Sequence, residues 1–216
     1  LGGGRTTEYS SDRTLDIIRK YAAEFGLNEK SGLEVSESAP RLSDTDGIRS
    51  SIGQGTHLFS VSQLARYIGS VANGGTTYNL TMLDKLTDSA GNTIEDYSAS
   101  VYNNVDISDD SWNAIREGLH EVALDTKAFQ ELDLTVAGKT GTAQQSVRHP
   151  NHALFVGYAP YEEPKIAIAI RITNGYTSAN AAAMAADIFR YYFGLADEEE
   201  LLTGTASEAT TEVIND

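Results

Sequence analysis

The sequence predicts an α+β fold, with helices packed on an antiparallel β-sheet. Three observations carry this reading. "KIAIAIRIT", from Lys165 to Thr173, alternates in the two-residue period of a strand that buries one face. "HALFVGYA" precedes it across only "PYEEP", and so short a connection joins antiparallel neighbours. Apolar residues also recur at three- and four-residue steps in three other segments, which is helical spacing.

The first helix is expected over Asp12 to Phe25, where Leu15, Ile18, Ala22 and Phe25 make one apolar face. Ser11 or Asp12 can cap it, and Gly26 can end it. "NEKSGLEVSESAPRLSDTDGIRSSIGQG" follows, a patternless stretch rich in Ser, Gly and Asp. Loops of this length are often functional in compact domains. The second helix starts in "SVSQLARYIGSVANGG". Ser60 and Gln63 form a capping box, Leu64, Tyr67, Ile68 and Val71 form the apolar stripe, and Gly74 and Gly75 stop it.

"TTYNLTMLDKLTDSAGNTIEDY" reads as short strands turning at Ala90-Gly91-Asn92. A third helix is expected near Asp109 to Leu124, with Trp112, Ile115, Leu119 and Val122 on one face. Strands are expected at Thr135 to Gln144, Ala153 to Ala159 and Lys165 to Thr173. "ANAAAMAADIFRYYFG" then makes a helix whose small residues let it lie close to a sheet. The segment 196–216 is acidic and Thr-rich and is expected to be disordered. No internal repeat is present.

Composition narrows the function. The 216 residues carry a net charge of −15 and no cysteine, which excludes disulfides and thiolate metal sites. Seven acidic residues and no basic one lie between Asp197 and Asp216, and the remainder carries −8. An acidic body argues against nucleic acid as a partner. No apolar run approaches the about 20 residues that span a bilayer. The chain does not begin with Met, and "LGGGRTTEYSSD" reads like a loop cut open, so a piece of a longer protein is expected.

"VAGKTGTAQQ", from Val136 to Gln145, concentrates the chemistry. In isolation Gly-Lys-Thr-Gly is an ordinary solvated turn. A phosphate loop is excluded, because Asp133 stands where its first glycine belongs and an extended run, not a helix, follows Lys139. At the start of a strand, the stretch offers a backbone N–H, two hydroxyls and an ammonium along one edge. Such a set suits an extended peptide ending in a carboxylate. Thr140 and Thr142 can hydrogen-bond the carboxylate, Lys139 supplies positive potential, and Gly141 permits close approach. A backbone N–H here can also stabilise an oxyanion.

"AGKTGTAQ" resembles the Lys-Thr-Gly box of penicillin-binding transpeptidases and serine β-lactamases. "SIGQGTHLFSVSQLARYIGSVANGGTTYN" is similar to the Gly-Gln-Gly loop, helix and Asn-Gly-Gly turn that precede the box. "HALFVGYAPYEEPKIAIAI" resembles the two strands that follow it. The resemblance runs from about Leu15 to Phe193 and is strongest to the class B, monofunctional penicillin-binding proteins. It implies a β-lactamase/transpeptidase-like fold, with residues 1–195 as the C-terminal part of the transpeptidase domain and 196–216 as a tail. Lys139, Thr140 and Gly141 match the box. Thr142 matches the position whose N–H completes the oxyanion hole and whose hydroxyl helps hold the substrate carboxylate. Gly53, Gln54 and Gly55 match a structural loop.

The family acylates a serine in Ser-x-x-Lys, and no Ser-x-x-Lys occurs in this chain. Ser111-Trp112-Asn113 and Ser178-Ala179-Asn180 match the second box, Ser-x-Asn, by chance. That box belongs upstream of the Gly-Gln-Gly loop, so neither is assigned. The chain is therefore expected to be the C-terminal half of a transpeptidase domain, inactive alone. The resemblance implies a peptidoglycan D,D-transpeptidase that works through an acyl-serine and binds β-lactams without a cofactor. Implied partners are stem peptides, β-lactams, the upstream half of the polypeptide and a cell-wall synthesis complex. The implied location is the extracytoplasmic face of the cytoplasmic membrane, behind an N-terminal anchor. A D,D-carboxypeptidase, a β-lactamase and a non-catalytic β-lactam sensor share the box and stay open.

The histidines, His57, His120, His149 and His152, do not form a metal-binding pattern. No serine shows a nucleophile elbow. Tyr191 and Tyr192 are expected in core packing or on a helix edge, and "DEEE" at 197–200 as a solvated run.

Overall fold

The computed structural model describes residues 9–144 and 148–202. The chain divides into two compact units, Leu1–Ser70 with Gly75–Asp106, and Val71–Gly74 with Ile107–Asp216.

The first unit holds α1 (Ser11–Glu24), α2 (Gly47–Ser51), most of α3 (Val61–Ala72), and strands β1 (Thr76–Asn79), β2 (Lys85–Thr87), β3 (Thr93–Asp96) and β4 (Ser100–Asn104). β1 pairs with β4, and β2 pairs with β3 in a hairpin that turns through Ala90-Gly91-Asn92 as expected. The Asp88 carboxylate shapes that turn by accepting from the N–H groups of Ala90 and Asn92.

α1 is capped by Ser10, whose hydroxyl accepts from Arg13 N, not by Ser11 or Asp12. Ser11 is otherwise engaged: its Oγ accepts from Gly47 N at 2.9 Å and ties α1 to α2. α2 breaks the long loop that was expected to lack pattern. Five residues are too few to show helical periodicity, but its ends are well marked. Asp46 caps it through Arg49 N, and a Schellman turn closes it, with Gly53 N–H on Ser50 O and Gln54 N–H on Arg49 O. That turn needs the φ of +79° that Gly53 adopts.

α3 begins with the expected capping box: Ser60 N–H donates to Gln63 Oε1 at 2.8 Å, and Gln63 N–H to Ser60 Oγ at 3.2 Å. Its stripe departs from expectation. Ile68 and Val71 are buried, but Leu64 and Tyr67 are only partly so, and Gln63, Arg66 and Ser70 are buried. These polar side chains hold backbone. Gln63 Nε2 donates to Glu29 O at 2.5 Å, and Arg66 donates to the carbonyls of Ser31 and Gly26. Burial pulls the Arg66 guanidinium below its ordinary pKa. Its charge lies over the Tyr102 ring, 5.0 Å from the centroid.

Glu37 closes the same network. Burial alone would raise its carboxyl, but Ser60, Ser62 and Ser31 donate hydrogen bonds to it and bring its pKa below the ordinary 4.5. The folded state therefore binds this proton more weakly than the unfolded state. Its stabilisation is complete above the ordinary value and is lost as pH falls through the lowered one. Glu37→Gln is expected to melt earlier at neutral pH and to lose less stability on acidification than the parent. Melting temperatures between roughly pH 3 and pH 7 measure this. Parallel curves for the two proteins would contradict it.

The second unit holds α4 (Asp109–Leu124), α5 (Lys127–Gln130), β5 (Ala137–Ala143), β6 (His152–Ala159), β7 (Ile166–Ile172), α6 (Ser178–Tyr192) and α7 (Glu198–Leu201). The three strands form an antiparallel sheet in the order β5-β6-β7. The pairing places Ala153, Phe155 and Ala159 on one face with Ile166, Ile168, Ile170 and Ile172. This face and α6 build the core, with Phe129, Ala181, Ala182, Ala185, Ala186 and Phe189. The alanines let α6 lie close against the strands.

Three expectations need correction. Ile115 is 38% exposed, and Ala123 is buried on α4 in addition to Trp112. Of the two readings of Tyr191 and Tyr192, core packing is overturned and the helix edge holds: they are 60% and 54% exposed, because Ala181, Ala185 and Phe189 mark the inward side of α6. Disorder from 196 onward fails at 198–201. There α7 forms with a capping box between Asp197 and Glu200 and three acidic residues in its first turn. Residues 203–216 lie outside the described residues.

Candidate functional site

Lys139 sits third in β5, which among the described residues is an edge strand hydrogen-bonded only to β6. It is exposed, and its ammonium donates to Thr140 O at 2.9 Å. The register pairs Lys139 with Val156 and Gly141 with Leu154, while Gly138, Thr140 and Thr142 pair with Gly157, Phe155 and Ala153. Strand alternation therefore puts the ammonium on one face and both hydroxyls on the other, the face of the core. The Thr142 hydroxyl accepts from Ser178 N, the first residue of α6, at 3.3 Å. The edge itself is as expected, but the cation and the hydroxyls flank it from opposite sides.

The two glycines of the box differ physically. A Cβ on Gly138 would meet the Phe155 ring at 2.5 Å, and one on Gly157 would meet the same ring at 2.5 Å. Phe155 lies across both, so core packing demands glycine there. A Cβ on Gly141 would make only ordinary contact with Leu154, 3.5 Å away, and its φ is not positive. Nothing among the described residues requires glycine at 141. The space it leaves lies on the Lys139 face of the strand.

The entry to β5 is held from α4 and from the β6–β7 connection. His120 Nδ1 lies 2.7 Å from Val136 O, and its ring stacks on Tyr161 at 4.2 Å and 3°. Tyr161 N–H donates to Thr135 O at 3.1 Å, and the Thr135 hydroxyl donates to Glu162 at 2.6 Å, which lowers the Glu162 carboxyl. Arg116 donates to Tyr161 O at 3.0 Å. Periodicity could not reveal this cluster, since only its aromatic and basic residue types hint at it.

The remaining candidates fall into place as packing groups. Gly55 is pressed between Ser43 and Ser50: a Cβ there would lie 2.4 Å from either hydroxyl oxygen. His57 Nδ1 contacts Ser43 Oγ at 2.8 Å, and burial lowers its pKa, opposed by a bond with the Gly53 backbone. His57 thus pins the Gly53-Gln54-Gly55 loop. His152 is buried, and its Nδ1 accepts from Asn174 N. His149 is exposed and His152 buried, and among the described residues no three His, Asp or Glu converge as metal ligands. Trp112 is buried in α4, as its place on the expected apolar face implied. The other match does adjoin β5, but through the backbone of Ser178, and Asn180 is spent on Gly175 O.

The model of the penicillin binding protein transpeptidase domain matches residues 8–192. The chain belongs to this family. Among its curated relatives is the peptidoglycan D,D-transpeptidase MrdA of Acinetobacter baumannii, 27% identical over 82% of this chain and 31% of that protein. The chain thus spans about a third of the length of the curated relatives it matches. Penicillin-binding protein 2B of Streptococcus pneumoniae shares the fold, with a TM-score of 0.74 and 22% identity over 89% of this chain and 35% of that one. So does penicillin-binding protein A of Mycobacterium tuberculosis, solved as a ceftriaxone acyl-enzyme, with a TM-score of 0.74 and 21% identity over 81% of this chain and 42% of that one. The α+β fold expected from the sequence is that of the transpeptidase domain.

Proposed function

We propose that this chain is the C-terminal part, residues 1–195, of a peptidoglycan D,D-transpeptidase domain, followed by an acidic tail. The observation that carries the reading is the Lys139 face of β5. An exposed ammonium stands on an edge strand, two residues from a glycine that packing among the described residues does not need.

A stem peptide would lie extended along the free edge of β5, as a strand added to the sheet. Gly141 lets its backbone come close. Its terminal carboxylate would meet Lys139 on one side of the strand and the Thr140 and Thr142 hydroxyls on the other. A serine supplied by the upstream half of the polypeptide attacks the penultimate D-Ala carbonyl, with the Thr142 N–H in the oxyanion hole. D-Ala leaves, and an amine of a neighbouring stem takes the acyl group. β-Lactams acylate the same serine, and no cofactor takes part.

This chemistry places the protein at the extracytoplasmic face of the cytoplasmic membrane, anchored upstream of this segment and working within a cell-wall synthesis complex. Among the described residues no helix is long and apolar enough to cross a membrane.

The test is covalent labelling with a fluorescent penicillin, read after denaturing electrophoresis. The longer protein is expected to carry a band. The 216-residue chain alone is expected to carry none, because it has no Ser-x-x-Lys. An unlabelled longer protein, or a labelled 216-residue chain, would overturn the reading.

A further inference from the structure

We propose that His120 is a positioning residue for Lys139, a role that rests on the transpeptidase reading above. Among the described residues β5 is hydrogen-bonded to β6 on one side only, and no ladder fixes its other side. The β6 ladder holds one side of the strand, and its entry is held in addition from α4. Val136 stands three residues before Lys139, and its side chain is buried. Its carbonyl receives the His120 contact at 2.7 Å. A carbonyl can only accept, so Nδ1 carries the proton, and the bond selects that form of the ring.

The ring cannot pivot freely about this bond. It lies flat on Tyr161, 4.2 Å away and 3° from parallel. Tyr161 is itself fixed by Arg116 and by its N–H on Thr135 O. The Arg116 guanidinium also stands 5.8 Å from the Tyr161 ring centroid. Arg116 and His120 lie four residues apart on α4, on one face of the helix. One helix face therefore grips both segments that border the entry of the Lys139 strand. Loss of the His120 donor leaves the buried side of Val136 in place but frees its carbonyl, and the strand can shift along its open side. Shifts of about 1 Å at a catalytic group slow chemistry without abolishing binding.

Three substitutions in the longer protein separate the donor from the ring. His120→Phe keeps the stack on Tyr161 and removes the donor. His120→Asn puts an amide N–H near the Nδ1 position. His120→Gln places its amide near Nε2, away from Val136 O. The probe is a fluorescent penicillin, followed for both the acylation rate constant and the fraction of molecules acylated. His120→Phe and His120→Gln are expected to acylate about five- to tenfold more slowly, the effect of one neutral hydrogen bond. The acylated fraction should stay at the parental level, and His120→Asn should return to within about twofold of the parental rate. A merely structural role would lower the fraction and leave the rate of the remaining molecules unchanged. That result, parental rates in both donor-less variants, or His120→Asn as slow as His120→Gln, would overturn the proposal. If His120→Phe does not fold, the Asn and Gln pair decides. Lys139→Ala run in parallel separates the two claims. A parental rate there removes the transpeptidase reading itself, whereas a slow Lys139→Ala beside a parental His120→Gln removes only the role of His120.

Discussion

Lys139→Ala in the longer protein is expected to slow acylation by penicillin on the order of 10²–10³, the usual effect of removing one electrostatic donor that acts in the transition state. Stability should not change. The side chain is exposed, and among the described residues its ammonium donates to the neighbouring Thr140 carbonyl. That bond is replaceable by water, so melting temperature serves as the control. Thr142→Val should be milder. Its backbone N–H survives, and the lost hydroxyl contacts Ser178 N on the opposite side of the strand from Lys139. The measurement is the second-order acylation rate of each variant. A parental rate for Lys139→Ala would make Gly-Lys-Thr-Gly an ordinary solvated strand segment.

Phe189→Ala is expected to destabilise the second unit by about 3–5 kcal/mol, the range for emptying a buried aromatic site. Phe189 is 0% exposed. Its ring centroid lies 6.4 Å from that of Phe129, which in turn lies 5.2 Å from Phe155. The surrounding residues on α6 are Ala181, Ala182, Ala185 and Ala186, which have no side-chain length to fill the hole. Collapse would have to move α6 itself. Urea unfolding followed by circular dichroism measures the loss, and a change below about 1 kcal/mol would show that the site repacks. The same deletion removes support from Phe155, the residue that covers Gly138 just before Lys139.

What the sequence displayed well was periodic or punctuated. β6 and β7 appear within one residue of their expected bounds because a half-buried sheet forces strict alternation. α1, α3 and α6 end at glycines that the left-handed turn requires. α2 and α5 were hidden because helices of five and four residues carry no repeat. The polar interior of α3 was hidden for another reason. Gln63 and Arg66 are buried by their backbone partners at Glu29, Ser31 and Gly26, and no local pattern records partners that distant. At the site, the box itself was legible from Lys139 to Thr142. The division of its side chains between two faces follows from alternation alone. The clamp at His120 does not, because it depends on where α4 lies beside β5.

The way α3 holds residues 26–37 bears on how the first unit assembles. Arg66 reaches Gly26 over 40 positions of chain, Gln63 reaches Glu29 over 34, and Ser60 reaches Glu37 over 23. Contacts of such sequence separation are slow to form, because loop closure opposes them until many are made together. Residues 27–37 contain no helix or strand of their own. Bonds with α3, together with bonds to Ala22, Leu80 and Met82, hold them. On these separations the local helix α3 is expected to form before the irregular segment is gathered onto it.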